Sequence, residues 1–352
     1  LRTPHLSLGP KLTAFEDAFA AYCGTAHAVA CSSGTAALHT VLTAWNLGPG
    51  DEVVTTPFSF IASSNAILMT GAKPVFADID PRTWNIDPAE VERAITPRTR
   101  ALLPVDVFGV PAPLDALRDI ARSRNLLILE DACEALGSAY QGRRCGSLGD
   151  AGVFGFYPNK QITTGEGGMI VTDDESLARR CRSLRNQGRD EDGDWLTHTR
   201  LGYNYRLGEM QCALGLAQLA RIDEILAARG RVYQWYRQRL ADERRLQWQE
   251  AEPDATISRF VLVVRLRDEY DRTDRDRILA ALRERGIGCS NYFAPIHLQP
   301  FYAERFGYRP GSFPRCEALA ARTIALPFHH ELTQRDVDRV CGELQRLLGP
   351  TP

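Results

Sequence analysis

One lysine in this sequence lies between two apolar runs, at a position where an amine could attack a carbonyl. The run Val153 to Tyr157 predicts a buried strand, Pro158-Asn159 ends it, and Lys160 follows at once. A glycine-rich turn at 165–168 then leads into a second predicted strand, Met169 to Val171. Burial lowers the pKa of a lysine ammonium and frees its lone pair for nucleophilic attack. For this residue taken alone, a solvated loop lysine is the alternative interpretation.

A carboxylate follows another predicted strand, Leu126 to Glu130. Asp131 comes directly after it, within the segment E-D-A-C-E-A-L-G. Open α/β sheets bind ligands at the carboxyl ends of their strands, so this carboxylate is a candidate for binding or catalysis. An acidic helix cap is the alternative for an aspartate at such a position.

An anion site is predicted where Ser32-Ser33-Gly34 separates a strand, Ala28 to Cys31, from a helix, Thr35 to Trp45. The free N–H groups and the positive dipole end at a helix N-terminus attract phosphate or carboxylate. A plain serine or threonine cap is the alternative interpretation.

Strands and helices alternate along the chain and must position these groups. Further strands are predicted at Asp51 to Thr56, Lys73 to Ile79, Ala101 to Val107 and Arg259 to Leu266, with helices at 11–23, Phe60 to Thr70, Pro113 to Arg124, Ser176 to Asn186, Asp274 to Arg285 and Leu332 to Leu348. The alternation indicates β-α units and a mostly parallel sheet. A long helical stretch, Leu207 to about Leu240, joins this part to a smaller α/β lobe. We therefore expect two domains, residues 1–235 and 236–352.

Charge, apolar runs and cysteine spacing indicate which kinds of partner and cellular compartment suit this chain. The net charge of -2 gives no support to a nucleic-acid or acidic-membrane partner. No apolar run approaches the roughly 20 residues that span a bilayer, and the first ten residues lack the apolar core of a signal peptide. The nine cysteines are dispersed, without a C-x-x-C pair, which favours reduced thiols in a cytoplasm over disulfides or a metal site.

Five segments in order carry a resemblance to a known family: S-S-G-T-A-A-L, G-A-K-P-V-F-A-D-I-D, E-D-A, Lys160 with T-T-G-E-G-G, and G-Y-N-Y-R. Together they make the chain similar to the DegT/DnrJ/EryC1/StrS family of sugar aminotransferases, which use pyridoxal phosphate (PLP). The resemblance implies the α/β fold of the aspartate aminotransferases (fold type I). It also implies transfer of an amino group, from L-glutamate or glutamine, to a ketone on a nucleotide-linked sugar. Amino sugar, polysaccharide or antibiotic biosynthesis would be the setting.

The resemblance also implies roles for individual residues. Lys160 would hold the cofactor and move protons, and Asp131 would keep the pyridine nitrogen protonated so that the ring can accept electrons. The other residues that the resemblance places near the cofactor are Gly34, Thr35 and Ser33 at the phosphate, Phe60 over the ring, Glu134 near the phenolic oxygen, and Asn204, reaching the phosphate from a partner subunit.

Arg206, Tyr292 and His297 are the expected substrate contacts, with a surface ion pair or a structural histidine as the alternatives. The Asn204 loop implies a homodimer with shared active sites. Two positions depart from the family pattern: Glu134 stands where histidine or glutamine is more common, and Gly155 stands where many relatives have a serine that reaches the phosphate.

Three other functions remain open at the level of sequence. The acceptor could be the ketone of a cyclitol, since some relatives aminate inososes. A sugar dehydratase is disfavoured, because those relatives replace the lysine by histidine and Lys160 is present. A non-catalytic sensor with the same fold is the third, and Glu134 and Gly155 are the features that would favour it.

Overall fold

A computed structural model of the chain describes residues 4–191 and 193–349. Its helices are α1 (Pro10–Cys23), α2 (Gly34–Ala44), α3 (Ala62–Met69), α4 (Pro88–Ala94), α5 (Leu114–Arg124), α6 (Glu175–Arg185), α7 (Glu209–Leu219), α8 (Ile222–Arg239), α9 (Arg272–Glu284), α10 (Pro300–Phe306), α11 (Pro314–Ala320) and α12 (Gln334–Leu347). Its strands are β1 (His27–Cys31), β2 (Glu52–Thr55), β3 (Lys73–Phe76), β4 (Thr99–Leu103), β5 (Leu127–Asp131), β6 (Ala139–Tyr140), β7 (Arg143–Arg144), β8 (Ala151–Gly155), β9 (Gly168–Thr172), β10 (Leu246–Trp248), β11 (Ala255–Thr256), β12 (Leu262–Leu266) and β13 (Thr323–Leu326).

The large central sheet has the strand order β1-β9-β8-β5-β4-β2-β3 in the described residues. Its neighbours from β8 to β3 run parallel, whereas β9 runs antiparallel to both β1 and β8. The residues of β2, β8 and β9 are almost all buried, as expected for strands covered on both faces. The predicted mainly parallel α/β sheet is confirmed.

The carboxyl ends of the parallel strands bring distant segments together. Cys31 at the end of β1 and Gly155 at the end of β8 both pair with Gly168 at the start of β9. A Cβ atom at residue 168 would lie only 2.4 Å from the carbonyl oxygen of Ser33, so only glycine lets β9 approach the start of α2 this closely. The sequence G-E-G-G therefore packs the helix N-terminus against the end of the lysine strand.

The C-terminal part forms a smaller antiparallel sheet, β10-β12-β13. Helices α8, α9 and α12 pack on it, and a separate three-stranded sheet joins β11 to β6 and β7. Ile222 at the start of α8 belongs to the core of the large sheet, whereas Tyr236 near its end belongs to the core of the small one. The division at residue 235 falls inside α8 and stays a prediction.

Several predicted boundaries are wrong. The stretch expected as one long helix is interrupted at Ala220-Arg221, because α7 lies along α1 while α8 turns towards α12. Strand β4 ends at Leu103 and not at Val107, since Pro104 has no N–H to continue the ladder. Strand β5 is shifted by one residue from the predicted Leu126 to Glu130, so that Asp131 is its last residue.

None of the helices in the described residues combines the length and apolar character needed to cross a membrane.

Candidate active site

A cavity of about 710 Å³ opens at the carboxyl edge of the large sheet. It collects most of the residues that the sequence singled out: Ser33, Gly34, Thr35, Phe60, Asp131, Glu134, Lys160 and Tyr292. They come from segments spread over more than 250 positions of sequence, which only the parallel sheet and the C-terminal lobe bring together. A cavity of this size is ample for a small cofactor.

Lys160 lies in a turn that begins where β8 ends, and its N–H donates to the carbonyl oxygen of Tyr157 (2.9 Å). Only 15% of its side chain is exposed, against 51% for Lys73. Its Nζ is 3.6 Å from Oε1 of Glu134 and 4.0 Å from the centre of the Phe260 ring. A carboxylate and an aromatic face therefore flank the amine.

Asp131 is buried at the end of β5, and both of its oxygens are held by donors. The hydroxyl of Ser63 donates to Oδ2 (2.7 Å), and the N–H of Cys133 donates to Oδ1 (3.2 Å). Hydrogen bonds to the charged form stabilise a carboxylate and fix its direction. Ser63 was not found by sequence reasoning, because no spacing rule connects the first turn of α3 with the end of β5.

Glu134 is buried one turn beyond Asp131, and the N–H of Phe108 donates to its Oε2 (2.8 Å). Burial raises the pKa of this carboxyl, and the Lys160 ammonium acts in the opposite direction. Glu134 is thus a carboxyl that can hold a proton or a negative charge beside the amine.

The N-terminus of α2 forms another wall of the cavity at Ser33, Gly34 and Thr35. The Ser33 hydroxyl accepts from the N–H of Ala36 (3.0 Å), which makes it a helix cap, while the first N–H groups of a helix have no partner within the helix. A Cβ atom at Gly155 would lie 3.5 Å from Sγ of Cys133, an ordinary contact. Packing therefore does not force the glycine at this position.

Aromatic side chains line part of the cavity, and the buried ring of Phe108 packs behind them. Tyr292 stacks on Phe293 (5.1 Å between ring centres), and Phe293 stacks in turn on Phe108 (5.2 Å). Phe60 is 61% exposed at the cavity wall, and Tyr157 is also exposed there. The cavity thus joins a polar floor to flat apolar surfaces near its mouth.

Three predicted residues do not line the cavity. His297 is completely buried, with its Nε2 3.0 Å from Oε1 of Glu317 and its ring packed against Phe313. Burial lowers the pKa of His297, while Glu317 opposes that effect. The expected contact of His297 with substrate therefore has no counterpart in this geometry, because the ring is enclosed between α10 and α11.

Asn204 and Arg206 lie on a surface segment before α7. The backbone of Asn204 bridges to Asn186, and Arg206 donates to Oδ1 of Asn186 (3.1 Å). Neither residue lines the cavity of its own chain.

These groups fit PLP. A largely buried lysine amine suits the aldehyde, a buried aspartate suits a ring cation, and a helix N-terminus suits the phosphate. Together with the mainly parallel sheet and the small C-terminal lobe, they define a PLP-dependent aminotransferase of fold type I.

Comparison with known proteins gives the same class. The model of the DegT/DnrJ/EryC1/StrS aminotransferase family matches residues 1–345, and the chain belongs to that family. GDP-perosamine synthase of Caulobacter vibrioides is 44% identical over 346 residues, covering 97% of this chain and 91% of that protein. The structure of S. venezuelae DesV superposes with a TM-score of 0.93 at 38% identity, covering 99% of this chain and 92% of that one. A structure of Streptococcus pneumoniae Spr1654 in its PLP form superposes with a TM-score of 0.93 at 28% identity, covering 98% and 93%.

Proposed function

We propose that this aminotransferase moves an amino group from L-glutamate or L-glutamine to a keto group of a nucleotide-linked sugar. The observation that carries the proposal is the cavity in which Lys160, Asp131 and the N-terminus of α2 meet beneath an aromatic mouth. The names of the relatives support the acceptor class: a GDP-perosamine synthase at 44% identity and a spore coat polysaccharide biosynthesis protein of Bacillus subtilis at 39%. Amino sugar formation for a polysaccharide or an antibiotic is the corresponding setting.

Lys160 is the proposed general base and acid. Bound PLP supplies an electron sink for the charge that develops at the substrate carbon. The Nζ of Lys160 would take the proton from Cα of the amino donor and hold it as an ammonium until the proton is returned. Glu134, 3.6 Å from Nζ, stabilises the ammonium while it carries that proton.

Asp131 and the start of α2 are the proposed anchors of the cofactor. The Asp131 carboxylate, held by Ser63, keeps a ring nitrogen protonated. The N–H groups of Gly34 and Thr35 bind phosphate, and the Ser33 cap fixes their direction. Phe60, which lines the cavity, would lie against a face of the bound cofactor and limit the access of water to that face.

Two assays separate this function from its alternatives. A half-reaction with L-glutamate should convert the bound cofactor stoichiometrically, and failure with every amino donor would favour a non-catalytic sensor. The aminated enzyme should then be discharged by keto sugars linked to nucleoside diphosphates. Discharge by a keto-cyclitol alone would make the cyclitol ketone the acceptor. Tyr292 is the proposed sugar contact, so Tyr292→Ala should raise KM for the acceptor more than for glutamate.

We also propose a homodimer in which each subunit completes the site of the other. Asn204 and Arg206 lie outside their own cavity, which supports a role in a partner's cavity. The same part of the chain exposes the large apolar side chains of Trp195, Leu196, Leu201, Met210 and Leu214. In a two-fold symmetric dimer, each subunit would bury this apolar surface against its partner and contribute its Asn204 loop to the partner's cavity.

Complementation tests the shared site. Lys160→Ala and the double variant Asn204→Ala/Arg206→Ala should each be nearly inactive. In heterodimers of the two, both defects fall in one site and the other site is native, so activity should return. No return in verified heterodimers would place the loop in its own subunit's site.

The cytoplasm is the proposed location. All nine cysteines, which lie within the described residues, are free thiols. Free thiols are usual in a reducing compartment.

A further inference from the structure

Arg229 on α8 is a buried cation beside the lysine turn. Only 6% of the residue is exposed, and burial lowers the pKa of its guanidinium to about 10. Within residues 4–191 and 193–349, no carboxylate forms an ion pair with it. Its Nε is also buried without an acceptor. The partners of Arg229 are two backbone carbonyls and the ring of Phe328, 5.7 Å away, and a buried charge without a carboxylate is costly to a fold.

The two terminal nitrogens of Arg229 converge on Lys160 from two directions. Nη2 donates to the carbonyl oxygen of Lys160 itself (3.1 Å). Nη1 donates to the carbonyl oxygen of Phe260 (3.2 Å), and the ring of Phe260 is the aromatic face 4.0 Å from Nζ of Lys160. One side chain thus holds both the backbone that carries the amine and the ring that lies against it.

The segments that Arg229 joins come from different parts of the fold, and Gln161, which donates to the carbonyl oxygen of Ser258 (3.1 Å), is a second link between them. Lys160 belongs to a turn after β8 of the large sheet, Phe260 precedes β12 of the small sheet, and α8 runs between the two cores. Relative movement of the two parts would change the distance between the amine and its aromatic neighbour. The planar, always-charged guanidinium can fix two carbonyls at once, which a lysine ammonium or an amide does less well.

We propose that Arg229 is a positioning residue, which sets the location of the Lys160 amine by fixing the backbone of Lys160 and the ring of Phe260 together. The inference rests on Lys160 as the lysine that holds the cofactor. Buried groups that break the usual rules of stability are concentrated at functional sites. A displaced amine reacts slowly, because a misplacement of about 1 Å can cost roughly 10²-fold in rate.

Arg229→Met tests this directly, since methionine fills much of the space but donates no hydrogen bond. Arg275→Met is the matched control. Arg275 is also buried, lies on α9 of the same lobe and donates to a backbone carbonyl, that of Ala320 (2.9 Å), without lining the cavity. It differs from Arg229 in pairing with the exposed Asp276 (2.6 Å). For each apoprotein we would add PLP and measure the rate constant at which it becomes reducible by borohydride onto Lys160. A rate constant does not depend on the fraction of molecules that fold.

The proposal predicts that this rate constant falls about tenfold or more in Arg229→Met and stays within about twofold in Arg275→Met. The rate constant of a single half-reaction with glutamate should fall in parallel, with KM for glutamate little changed. Arg229→Lys keeps the charge and reaches one carbonyl, so its rate constant should lie between the two. Should Arg229→Met not fold, Arg229→Lys decides: a rate constant equal to that of the unaltered protein would overturn the proposal.

Equal rate constants for Arg229→Met and Arg275→Met would show that Arg229 acts on stability alone. Failure of the proposed function is distinguishable from that outcome. In that case the unaltered protein would carry the reduced label on a lysine other than Lys160.

Discussion

Glu130 and Asp131 are consecutive acids on strand β5, yet they lie in opposite environments. Side chains alternate between the two faces of a strand, so these carboxyls point away from each other. Asp131 faces the cavity, where Ser63 donates to it and Lys160 lies in the same wall. Glu130 faces a closed region, where it meets a second acid, Asp106.

On the closed side two acids lie together, and among the residues that the structure describes neither forms an ion pair with a cation. Glu130 accepts from the N–H groups of Gly146 (2.6 Å) and Leu148 (2.9 Å), and its oxygens lie within 4.8 Å of Asp106 and of the Cys145 thiol. Burial and the neighbouring Glu130 charge raise the pKa of Asp106 well above its ordinary value. Burial also raises the pKa of Glu130 and that of Cys145. A single proton shared by the two carboxyls therefore explains how Asp106 and Glu130 can lie side by side in a buried region.

Residue type alone therefore does not decide what a buried carboxyl does. On one face of β5 the acid has donors, space and a nearby amine, and it can act on a ligand. On the other face the acid is buried away from the cavity, and its protonation affects the stability of the fold. Predictions at the two faces should therefore separate activity from stability.

The largest effect on activity is expected for Asp131→Asn. An amide of the same shape cannot hold a proton on a ring nitrogen, so the activation barrier should rise by several kcal/mol. Each ~1.4 kcal/mol lowers the rate tenfold. PLP binding should be retained, because the phosphate site is separate. Turnover and cofactor content are the measurements. Near-normal turnover with full cofactor would remove the role of Asp131.

Glu134→Gln should have a smaller effect on the open face, about tenfold in rate, because the amide cannot pair with the Lys160 ammonium. Protonation of Glu134 at low pH should produce the acid limb of the rate profile. Since burial raises the pKa of Glu134, that limb should lie above the range of an ordinary glutamate. The limb should vanish in Glu134→Gln and persist in Glu134→Asp. A persistent limb in the glutamine variant would assign it to another group.

Asp106→Asn should leave activity almost unchanged and alter stability on the closed face. In the native protein the raised pKa keeps Asp106 protonated, while the unfolded chain loses that proton near the ordinary value. The free energy of unfolding therefore falls as the pH rises from the ordinary pKa towards the native one, by about 1.4 kcal/mol per pH unit for one proton. Urea denaturation at several pH values should show a shallower fall in Asp106→Asn. If the free energy of unfolding fell with pH equally steeply in Asp106→Asn, Asp106 would be excluded as the source of this pH dependence.

The sequence predicted those parts of the site that lie at strand and helix ends. Lys160, Asp131 and the start of α2 follow from local pattern, because a strand end in a parallel sheet has a fixed place. The role of Asp131 at a pyridine nitrogen came from the family resemblance, since a strand end alone indicates only a carboxylate that can meet a ligand.

Other parts could not be predicted, because they depend on contacts between distant segments. Ser63 reaches Asp131 across 68 positions, and Phe260 reaches Lys160 from the other lobe. For His297 the family resemblance suggested a substrate contact, whereas tertiary packing encloses the ring beside Glu317.

The role of Lys160 is tested most directly by finding which lysine carries the cofactor. The protein has three lysines, Lys11, Lys73 and Lys160, so borohydride reduction followed by peptide mapping has three possible outcomes. Lys11 and Lys73 are exposed, and neither lies in the cavity. We predict one pyridoxyl group per chain on Lys160 and none in Lys160→Ala. A label on Lys11 or Lys73 of the unaltered protein, or an unchanged label in Lys160→Ala, would contradict this account of the active site.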